Sequence, residues 1–384
     1  MNPTLNPALL LSPVENGYVA YDPVADRLHE LNPMGALIAE LCDGGTRSLD
    51  EIRDLVAPLL PEDKPEVIDR WVEEATRLGL LVTAAQVAEG RREMTAKELA
   101  DLAWRLWDHG KIQTAFLCQK RAAELAPDDP KKFYYLAELF LILGRREEGR
   151  AAYERYVELN PDDAEIKHLL VALRDEQPPP RMPDECIRQI YQHFSASFES
   201  VLKDLNYCGP ERIQQIIESV FGDRQSLAVL DLGCGTGLAG VRLKPRAARL
   251  VGVDLSPQMI ELARKREIYD LLVVAEITDW LRRCQERFDL AVACDSLIYF
   301  GDLSPVLTGV APLLTQNGVF VFSVERGDKY PFHLADSGRY THHPDHVREA
   351  AHKAGLSVVR MDTAFLRTEY GVEVTGLFVA LQKP

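Results

Sequence analysis

VLDLGCGTG, residues 229–237, and VGVDLS, residues 251–256, decide the fold of the C-terminal part of this chain. Each apolar run predicts a buried strand, and the glycines between them predict a tight turn with no Cβ to block a ligand. In an open α/β sheet, ligands bind at the carboxyl ends of parallel strands, where an acid such as Asp254 suits a ribose diol. The two stretches therefore predict a nucleotide-type cofactor site.

The glycine spacing separates this turn from two other nucleotide-binding loops. It matches neither GxGxxG nor GxxxxGK[ST]. Instead, DxGxGxG followed by an acid at the next strand end resembles the class I S-adenosylmethionine-dependent methyltransferases. The resemblance implies a Rossmann-like domain with a mostly parallel sheet over residues 184–384, which uses S-adenosylmethionine and releases S-adenosylhomocysteine. A glycine turn with Asp254 as a simple helix N-cap is the structural alternative.

The same resemblance implies roles for residues at four strand ends. Asp254 is expected to bind the ribose hydroxyls, and Asp231 to face the methionine ammonium. Asp295 is expected to face the methyl group, or else to cap the helix that begins at residues 296–297. The expected cofactor-binding residues are Asp231, Gly233, Cys234, Gly235, Gly237, Asp254, Leu255, Met259, Glu276, Ile277 and Asp295.

The acceptor side is less specified by the sequence. Segments 297–303, 320–325 and 337–342 resemble methyltransferases that carry tetratricopeptide repeats, which implies no particular substrate. Because positioning and desolvation can supply most of the acceleration of methyl transfer, neither a triad nor a metal is expected. The residues expected to be catalytic, from position, are Tyr299, Glu325, Arg339, Tyr340 and His342.

Two of these positions carry alternatives. Arg339 offers a guanidinium fork for a substrate carboxylate, or makes a surface salt bridge. His342 is a possible general base, because imidazole titrates near neutrality. Aromatic residues in segment 191–198 and Tyr207 are expected either to cover the cofactor or to pack in the core.

The first 90 residues predict a separate α+β unit of winged-helix type. Asp22-Pro23 predicts the turn of a hairpin between residues 18–21 and 27–31, and Asn32 and Ser48 predict the starts of two helices. A third helix is expected from Pro65 to Leu78. The run LNPMGALIAELCDG, residues 31–44, resembles the PqqD-like peptide-recognition domains, also called RiPP recognition elements.

That resemblance implies binding of the leader of a ribosomally made precursor peptide. The leader would add a strand beside the outer strand of the hairpin, with the third helix as the other wall. The apolar members Leu28, Leu31 and Trp71 have a simpler interpretation as core residues. The expected peptide-binding residues are Arg27, Leu28, His29, Glu30, Leu31, Arg70, Trp71 and Glu74.

Residues 96–176 predict amphipathic helices with an internal repeat. Gly110 and Gly144 are 34 residues apart, as are Pro127 and Pro161 in ELAPDD and ELNPDD. This period resembles tetratricopeptide repeats, over 96–129 and 130–163, with a capping helix over 164–174. Gly149 and Tyr156 depart from the usual pattern and leave the local packing open. The all-α segment is expected to be a spacer, with a partner-binding site as the alternative.

Composition narrows the partners. A net charge of −15 argues against nucleic acid, because binding a phosphate backbone needs clustered Lys and Arg. No apolar run reaches the ~20 residues of a membrane span, and no signal peptide is recognised. Seven cysteines without a CxxC pair argue against a disulfide framework and a zinc site. We expect a multidomain α/β protein in the cytoplasm.

The leading hypothesis is a methyltransferase that modifies a precursor peptide recruited through its leader. A methyltransferase for a small metabolite, with the N-terminal unit used for assembly, is the second hypothesis. A non-catalytic peptide chaperone is the third. The acceptor atom and the oligomeric state are left open by the sequence.

Overall fold

The structure is a computed structural model that describes residues 2–14, 17–59, 66–83, 94–194, 198–369 and 371–384. It divides into two compact units, Met1–Asn160 and Pro161–Pro384. Pro65, the expected start of the third helix, lies outside the described residues, as does part of the expected aromatic cover, residues 195–197.

The first unit begins with two small antiparallel sheets. The predicted hairpin is confirmed, since Tyr18 pairs with Leu31 and Asp22 with Arg27. A further strand, which the sequence pattern did not predict, lies on the other side of the hairpin, so the strand order is β2–β3–β4 and β4 is an edge. The strands are β1 Thr4–Leu5, β2 Leu10–Val14, β3 Gly17–Asp22, β4 Arg27–Leu31 and β5 Leu81–Val82, with β1 paired to β5.

Three helices, α1 Pro33–Cys42, α2 Leu49–Val56 and α3 Val67–Arg77, cover this part of the unit. The two predicted caps are confirmed. Asn32 Oδ1 accepts a hydrogen bond from Gly35 N at 2.8 Å, and Ser48 forms a capping box with Glu51. The buried faces of the three helices share one apolar cluster with β3, β4 and β5.

Four further helices complete the first unit as two packed pairs. They are α4 Ala96–Asp108, α5 Ile112–Leu125, α6 Pro130–Ile142 and α7 Arg146–Leu159. Gly110 and Gly144 follow the first helix of each pair, and both have φ +73°. Gly149 lies where α7 approaches α6, because a Cβ there would stand 2.8 Å from the side chain of Leu141. The glycine is therefore required by the close contact between the two helices.

The second unit starts with four helices: α8 Ala164–Leu173, α9 Asp184–Phe194, α10 Phe198–Asp204 and α11 Gly209–Phe221. Helix α8, the expected cap of the repeats, packs against α9. Five later helices are α12 Leu238–Leu243, α13 Pro257–Arg264, α14 Ile277–Arg283, α15 Ser304–Leu313 and α16 Pro344–Lys353.

A nine-stranded sheet forms the centre of the second unit. Strands β8, β7, β6, β9 and β10 lie side by side in parallel, with β6 and β9 adjacent, so the strand order reverses at β6. The predicted mostly parallel sheet is thus confirmed, and β14 adds an antiparallel partner to β10. The strands are β6 Leu227–Leu232, β7 Ala247–Asp254, β8 Leu271–Val274, β9 Phe288–Ala293, β10 Leu314–Arg326, β11 Phe332–Leu334, β12 Tyr340–His342, β13 Ser357–Glu369 and β14 Val372–Gln382.

The central strands are apolar on both faces because helices cover the sheet on both sides. Leu230 and Leu232 belong to one buried cluster, whereas Val229 belongs to the other, as the two-residue alternation of a strand requires. In the described part of the chain, no helix is both long enough and apolar enough to cross a membrane.

Candidate cofactor and acceptor site

A pocket of about 260 Å³ opens where β6, β7 and β9 end. This is the place where strand order reverses, which is where open α/β sheets bind ligands. Eight of the expected cofactor-binding residues line it: Gly233, Cys234, Gly235, Asp254, Leu255, Glu276, Ile277 and Asp295. Gly237, Met259 and Asp231 are not among its lining residues.

The glycine turn follows β6 directly. Gly233 has φ +66°, and a Cβ there would stand 2.3 Å from the Cβ of Ser296, so only glycine fits. Gly235 has φ +54° with open space beside it, and its N–H donates to Asp254 Oδ2 at 2.8 Å. The turn thus brings backbone against the pocket and holds the acid of the next strand.

Asp254 is buried at the end of β7. Its Oδ1 accepts from Ser256 N at 2.8 Å, and burial raises the pKa of the carboxyl to about 6. The N-cap of α13 is Ser256, whose side chain accepts from Met259 N, so the interpretation of Asp254 as that cap is wrong. Each carboxylate oxygen accepts a backbone N–H and has a second lone pair available for a ligand hydroxyl.

Three other expected acids, Asp231, Glu276 and Asp295, each have a buried oxygen without a hydrogen-bond partner among the described residues. Asp231 Oδ2 accepts from the Tyr269 hydroxyl at 2.7 Å, and burial raises the pKa of Asp231 to about 7. Glu276 caps α14 through Oε2, which accepts from Asp279 N at 2.8 Å, while Oε1 is unpaired. Met259 is fully buried in the core.

Asp295 follows β9 in a left-handed conformation, with φ +55°. Its Oδ2 accepts from Arg367 Nη1 at 3.0 Å, and burial raises the pKa of the carboxyl while Arg367 opposes the shift. The short helix Leu297–Tyr299 receives no side-chain cap bond from its N-cap residue, Ser296. Asp295 therefore serves as an ion-pair partner of Arg367.

Arg367 is the main residue that sequence reasoning missed. It is 3% exposed, and its Nε, Nη1 and Nη2 donate to Glu369, Asp295 and Glu325. Arg339 joins the same network, with Nε donating to Glu325 at 2.7 Å and Nη2 to Glu369. We call Asp295, Glu325, Arg339, Arg367 and Glu369 the acceptor cluster.

The acceptor cluster borders the pocket, which Asp295, Arg339, Arg367 and Glu369 line. Arg339 is thus neither a surface salt bridge nor an unengaged fork. Arg367 and Glu369 alternate on one strand, and this i, i+2 spacing was the available signal. It gave no indication of Asp295 or Glu325, because those partners come from other strands.

The remaining expected catalytic residues separate into two groups. Tyr299 lines the pocket, its hydroxyl lies 2.7 Å from that of Tyr191, and burial raises its pKa to about 12. Tyr340 and His342 are fully buried and do not line the pocket. Tyr340 donates to Pro179 O at 2.7 Å, and burial lowers the pKa of His342 to about 4.

The expected aromatic cover is partly described. Tyr191, Phe198 and Tyr207 all line the pocket. Tyr207 places its hydroxyl 3.3 Å from Cys294 Sγ. These rings come from the helical segment that precedes β6, with Tyr207 in the connection between α10 and α11, and they form an aromatic wall of the pocket.

The expected peptide-binding residues lie on β4 and α3 of the first unit. Leu31 is core, at 7% exposure, whereas Leu28 is 45% exposed. Trp71 is half-buried and packs on α1, where a Cβ on Gly35 would meet its Nε1 at 2.7 Å. The other side chains are exposed apart from the half-buried His29: Arg27, Glu30, Arg70 and Glu74.

Within the described ranges, no group of three or more His, Cys, Asp or Glu side chains could hold a metal ion. His342 and His346 stack, with ring centroids 6.1 Å apart. Nδ1 of His342 and Nε2 of His346 have no hydrogen-bond partner among those residues.

Comparison with known proteins agrees with this geometry. Residues 230–320 match a family model described as a methyltransferase domain, and residues 17–80 match that of coenzyme PQQ synthesis protein D. Magnesium-protoporphyrin O-methyltransferase of Rhodobacter capsulatus is 42% identical over 90 residues, which cover 22% of this chain and 40% of that protein. Ubiquinone biosynthesis O-methyltransferase of Coxiella burnetii is 25% identical over 176 residues, which cover 41% of this chain and 74% of that protein.

The chain contains an S-adenosylmethionine-dependent methyltransferase domain. It also contains an N-terminal PqqD domain. The chain spans about two fifths of the length of the first of these relatives. Among solved structures, magnesium protoporphyrin IX methyltransferase from Synechocystis PCC 6803 with bound S-adenosylhomocysteine has a TM-score of 0.43 and 15% identity, covering 52% of this chain and 99% of that one.

The methyltransferase domain has hydrogen-bond acceptors that fit the donor groups of its cofactor, S-adenosylmethionine. The carboxylate of Asp254 suits the ribose diol, and the glycine turn leaves room for a close approach. Glu276, which lines the pocket, and Asp231, which does not, each have one buried oxygen that can accept a further hydrogen bond. These buried oxygens are costly without a partner, so their presence supports a ligand that donates hydrogen bonds.

Proposed function

We propose that this protein methylates a ribosomally synthesised precursor peptide, whose leader is bound by the PqqD domain. The observation that carries the proposal is the presence in one chain of a PqqD domain with an edge strand and of a methyltransferase domain with a formed pocket. Such a reaction would take place in the cytoplasm, where precursor peptides are made.

Strand β4 is the surface proposed for the leader. Among the described strands it pairs with β3 alone, so its other edge can take an added strand. Main-chain hydrogen bonds would then supply affinity and alternate side chains specificity. The exposed residues Arg27, Leu28 and Glu30 are proposed to contact the leader, with Arg70, Trp71 and Glu74 of α3 as the opposite wall.

The pocket is proposed to bring cofactor and acceptor together. When bound, S-adenosylmethionine supplies an electrophilic methyl group and leaves as S-adenosylhomocysteine. The acceptor would form its bond to the methyl carbon as the carbon–sulfur bond breaks, and its proton would pass to solvent. The protein's own part is to bind, orient and exclude water through Asp254, Glu276, Tyr299 and the acceptor cluster.

The proposed organisation has three parts: residues 1–90 for the leader, residues 96–176 as a tetratricopeptide-like spacer, and residues 184–384 for methyl transfer. A tethered acceptor reaches a millimolar effective concentration when the connecting segment is short. The pocket itself therefore needs to bind the modified segment only weakly.

A second candidate is a methyltransferase for a small metabolite, with the N-terminal unit used for assembly. The names of the relatives favour it, since one is a magnesium-protoporphyrin and another a ubiquinone-biosynthesis O-methyltransferase. The PqqD domain favours the peptide, because assembly alone does not require a peptide-recognition domain.

Leader binding separates the two candidates. A labelled leader from a precursor encoded near the gene should bind the full chain saturably, as measured by fluorescence anisotropy. Leu28→Glu should weaken binding about tenfold or more, because the exposed side chain would lose its apolar contact. Leu55→Glu is the matched control, since Leu55 is 54% exposed on α2. No saturable binding, or equal losses in both variants, would favour the small-metabolite candidate.

A further inference from the structure

The acceptor cluster is an unusual feature for a pocket wall, because it places five ionisable side chains together with little exposure. Arg367 is 3% exposed as a side chain, Glu325 8%, Asp295 14%, Glu369 20% and Arg339 22%. Burying charges is costly unless each is paired and hydrogen-bonded. A cluster of this kind at a binding pocket therefore has consequences for what can bind there.

The hydrogen bonds in the cluster use the guanidinium groups more fully than the carboxylates. All three nitrogens of Arg367 donate to carboxylates, to Glu369 at 2.6 Å, to Asp295 at 3.0 Å and to Glu325. Arg339 donates to Glu325 and to Glu369. Asp295 Oδ1, by contrast, is buried with no hydrogen-bond partner among the described residues. Asp295 Oδ1 therefore lacks a hydrogen-bond donor.

The net charge of the acceptor cluster also favours a ligand without negative charge. Two guanidinium groups stand against three carboxylates, so the fully ionised cluster carries one net negative charge. Burial acts to raise the pKa of Glu369, but Arg339 and Arg367 outweigh it and hold that pKa below its usual range. A substrate carboxylate brought to this wall would meet repulsion that water screens poorly.

We infer that the acceptor cluster selects a methyl acceptor that donates a hydrogen bond and carries no negative charge, with an amine preferred over a carboxylate. The inference rests on the proposed function and names the chemical class of its acceptor. It reverses the expectation that the Arg339 fork clamps a substrate carboxylate, because Glu325 and Glu369 already occupy Nε and Nη2.

Asp295 and Arg367 have different parts in this selection. Asp295 lines the pocket and presents the unpaired oxygen, so it is the residue expected to accept the hydrogen bond. Arg367 holds the other oxygen of the same carboxylate and fixes its orientation, which makes it a positioning residue. Tyr191 and Tyr299 supply an adjacent aromatic wall.

The test uses two probes of one shape and opposite charge, 2-phenylethylamine and 3-phenylpropionate. Each is titrated calorimetrically at neutral pH into the full chain saturated with S-adenosylhomocysteine. We expect the amine to bind about tenfold or more tightly, the size of effect that one charge produces in a partly screened pocket. Equal affinities, including no measurable binding of either probe, or tighter binding of the carboxylate would overturn the inference.

Two variants should shift the preference for the amine probe over the carboxylate probe in opposite directions. Glu369→Gln removes a negative charge and should narrow the preference for the amine, whereas Arg339→Gln removes a positive charge and should widen it. Shifts in the same direction would mean general damage to the pocket and would overturn the inference. The affinity for S-adenosylhomocysteine, measured alongside, identifies variants that no longer fold. If a variant does not fold, the ratio of amine to carboxylate affinity in the unsubstituted chain still tests the inference.

Failure of the inference and failure of the proposed function give different results. A chain that prefers the amine yet methylates no precursor peptide would contradict the proposed function alone. A chain that methylates a precursor but prefers the carboxylate probe would contradict the inference alone.

Discussion

At the scale of single residues, Asp254 is the acid proposed to bind the cofactor ribose. Its carboxylate is held by Gly235 N and Ser256 N, each at 2.8 Å, so it is oriented before any ligand arrives. Asp254→Ala should weaken S-adenosylhomocysteine binding on the order of 10²-fold, since hydrogen bonds to a charged group contribute about 1.5–3 kcal/mol each. Calorimetric titration measures the loss.

Asp279→Ala is the control for that change, because Asp279 is an exposed acid on α14 that pairs with Arg282. Its affinity for S-adenosylhomocysteine should equal that of the unsubstituted chain. If Asp254→Ala behaves like this control, the ribose does not lie at the end of β7.

Asp231 makes stability depend on pH. Burial raises its pKa from 3.8 to about 7, so the folded state binds more protons than the unfolded state in that interval. The contribution of Asp231 to the free energy of unfolding should therefore fall as the pH rises from about 4 to about 7, by about 1.4 kcal/mol for each pH unit between those values. Asp231→Asn should show a shallower fall in thermal midpoint over the same range. Parallel curves for the two proteins would contradict a buried, protonated Asp231.

Some residues of the candidate site could be predicted from the sequence, and others could not. The glycine turn and Asp254 could be predicted, because local chain geometry fixes both. Arg367 could not, because its partners Asp295 and Glu325 lie 72 and 42 residues away and meet it through sheet pairing alone. Tyr340 and His342 were expected near the acceptor from chain position, but their side chains pack away from the pocket.

At the scale of elements, the close contact between α6 and α7 at Gly149 sets how these two helices pack. Gly149→Val should destabilise the protein by about 1–3 kcal/mol, because its side chain would overlap that of Leu141 across the α6–α7 contact. Ala151→Val is the matched control on the exposed face of α7. Thermal unfolding compares the two, and an equal midpoint would mean that the helices separate easily at Gly149.

Elements with local signals were predicted well. The caps at Asn32 and Ser48 and the hairpin follow from short-range patterns, whereas the mostly parallel sheet follows from the methyltransferase resemblance. Strand β2 was missed because its sequence, LLSPV, contains a proline and lacks regular alternation. The assignment of the repeats to the tetratricopeptide family stays a prediction, although the two helix pairs are present.

At the scale of the whole molecule, the proposed tethering of the precursor through its leader predicts an effect on the methylation rate. A precursor lacking its leader should be methylated on the order of 10²-fold more slowly at low concentration, because the effective concentration of the acceptor is lost. Adding the leader as a separate peptide should not restore the rate. Initial rates from methyl incorporation measure this, and equal rates with and without the leader would contradict tethering.

The most direct test of the central claim is the intact mass of a precursor peptide after incubation with the full chain and S-adenosylmethionine. We expect a gain of one methylene unit per modified site, and we expect it to be reduced strongly by Asp254→Ala and by Leu28→Glu. An unchanged mass for every precursor encoded near the gene, from a chain that binds S-adenosylhomocysteine, would contradict the account.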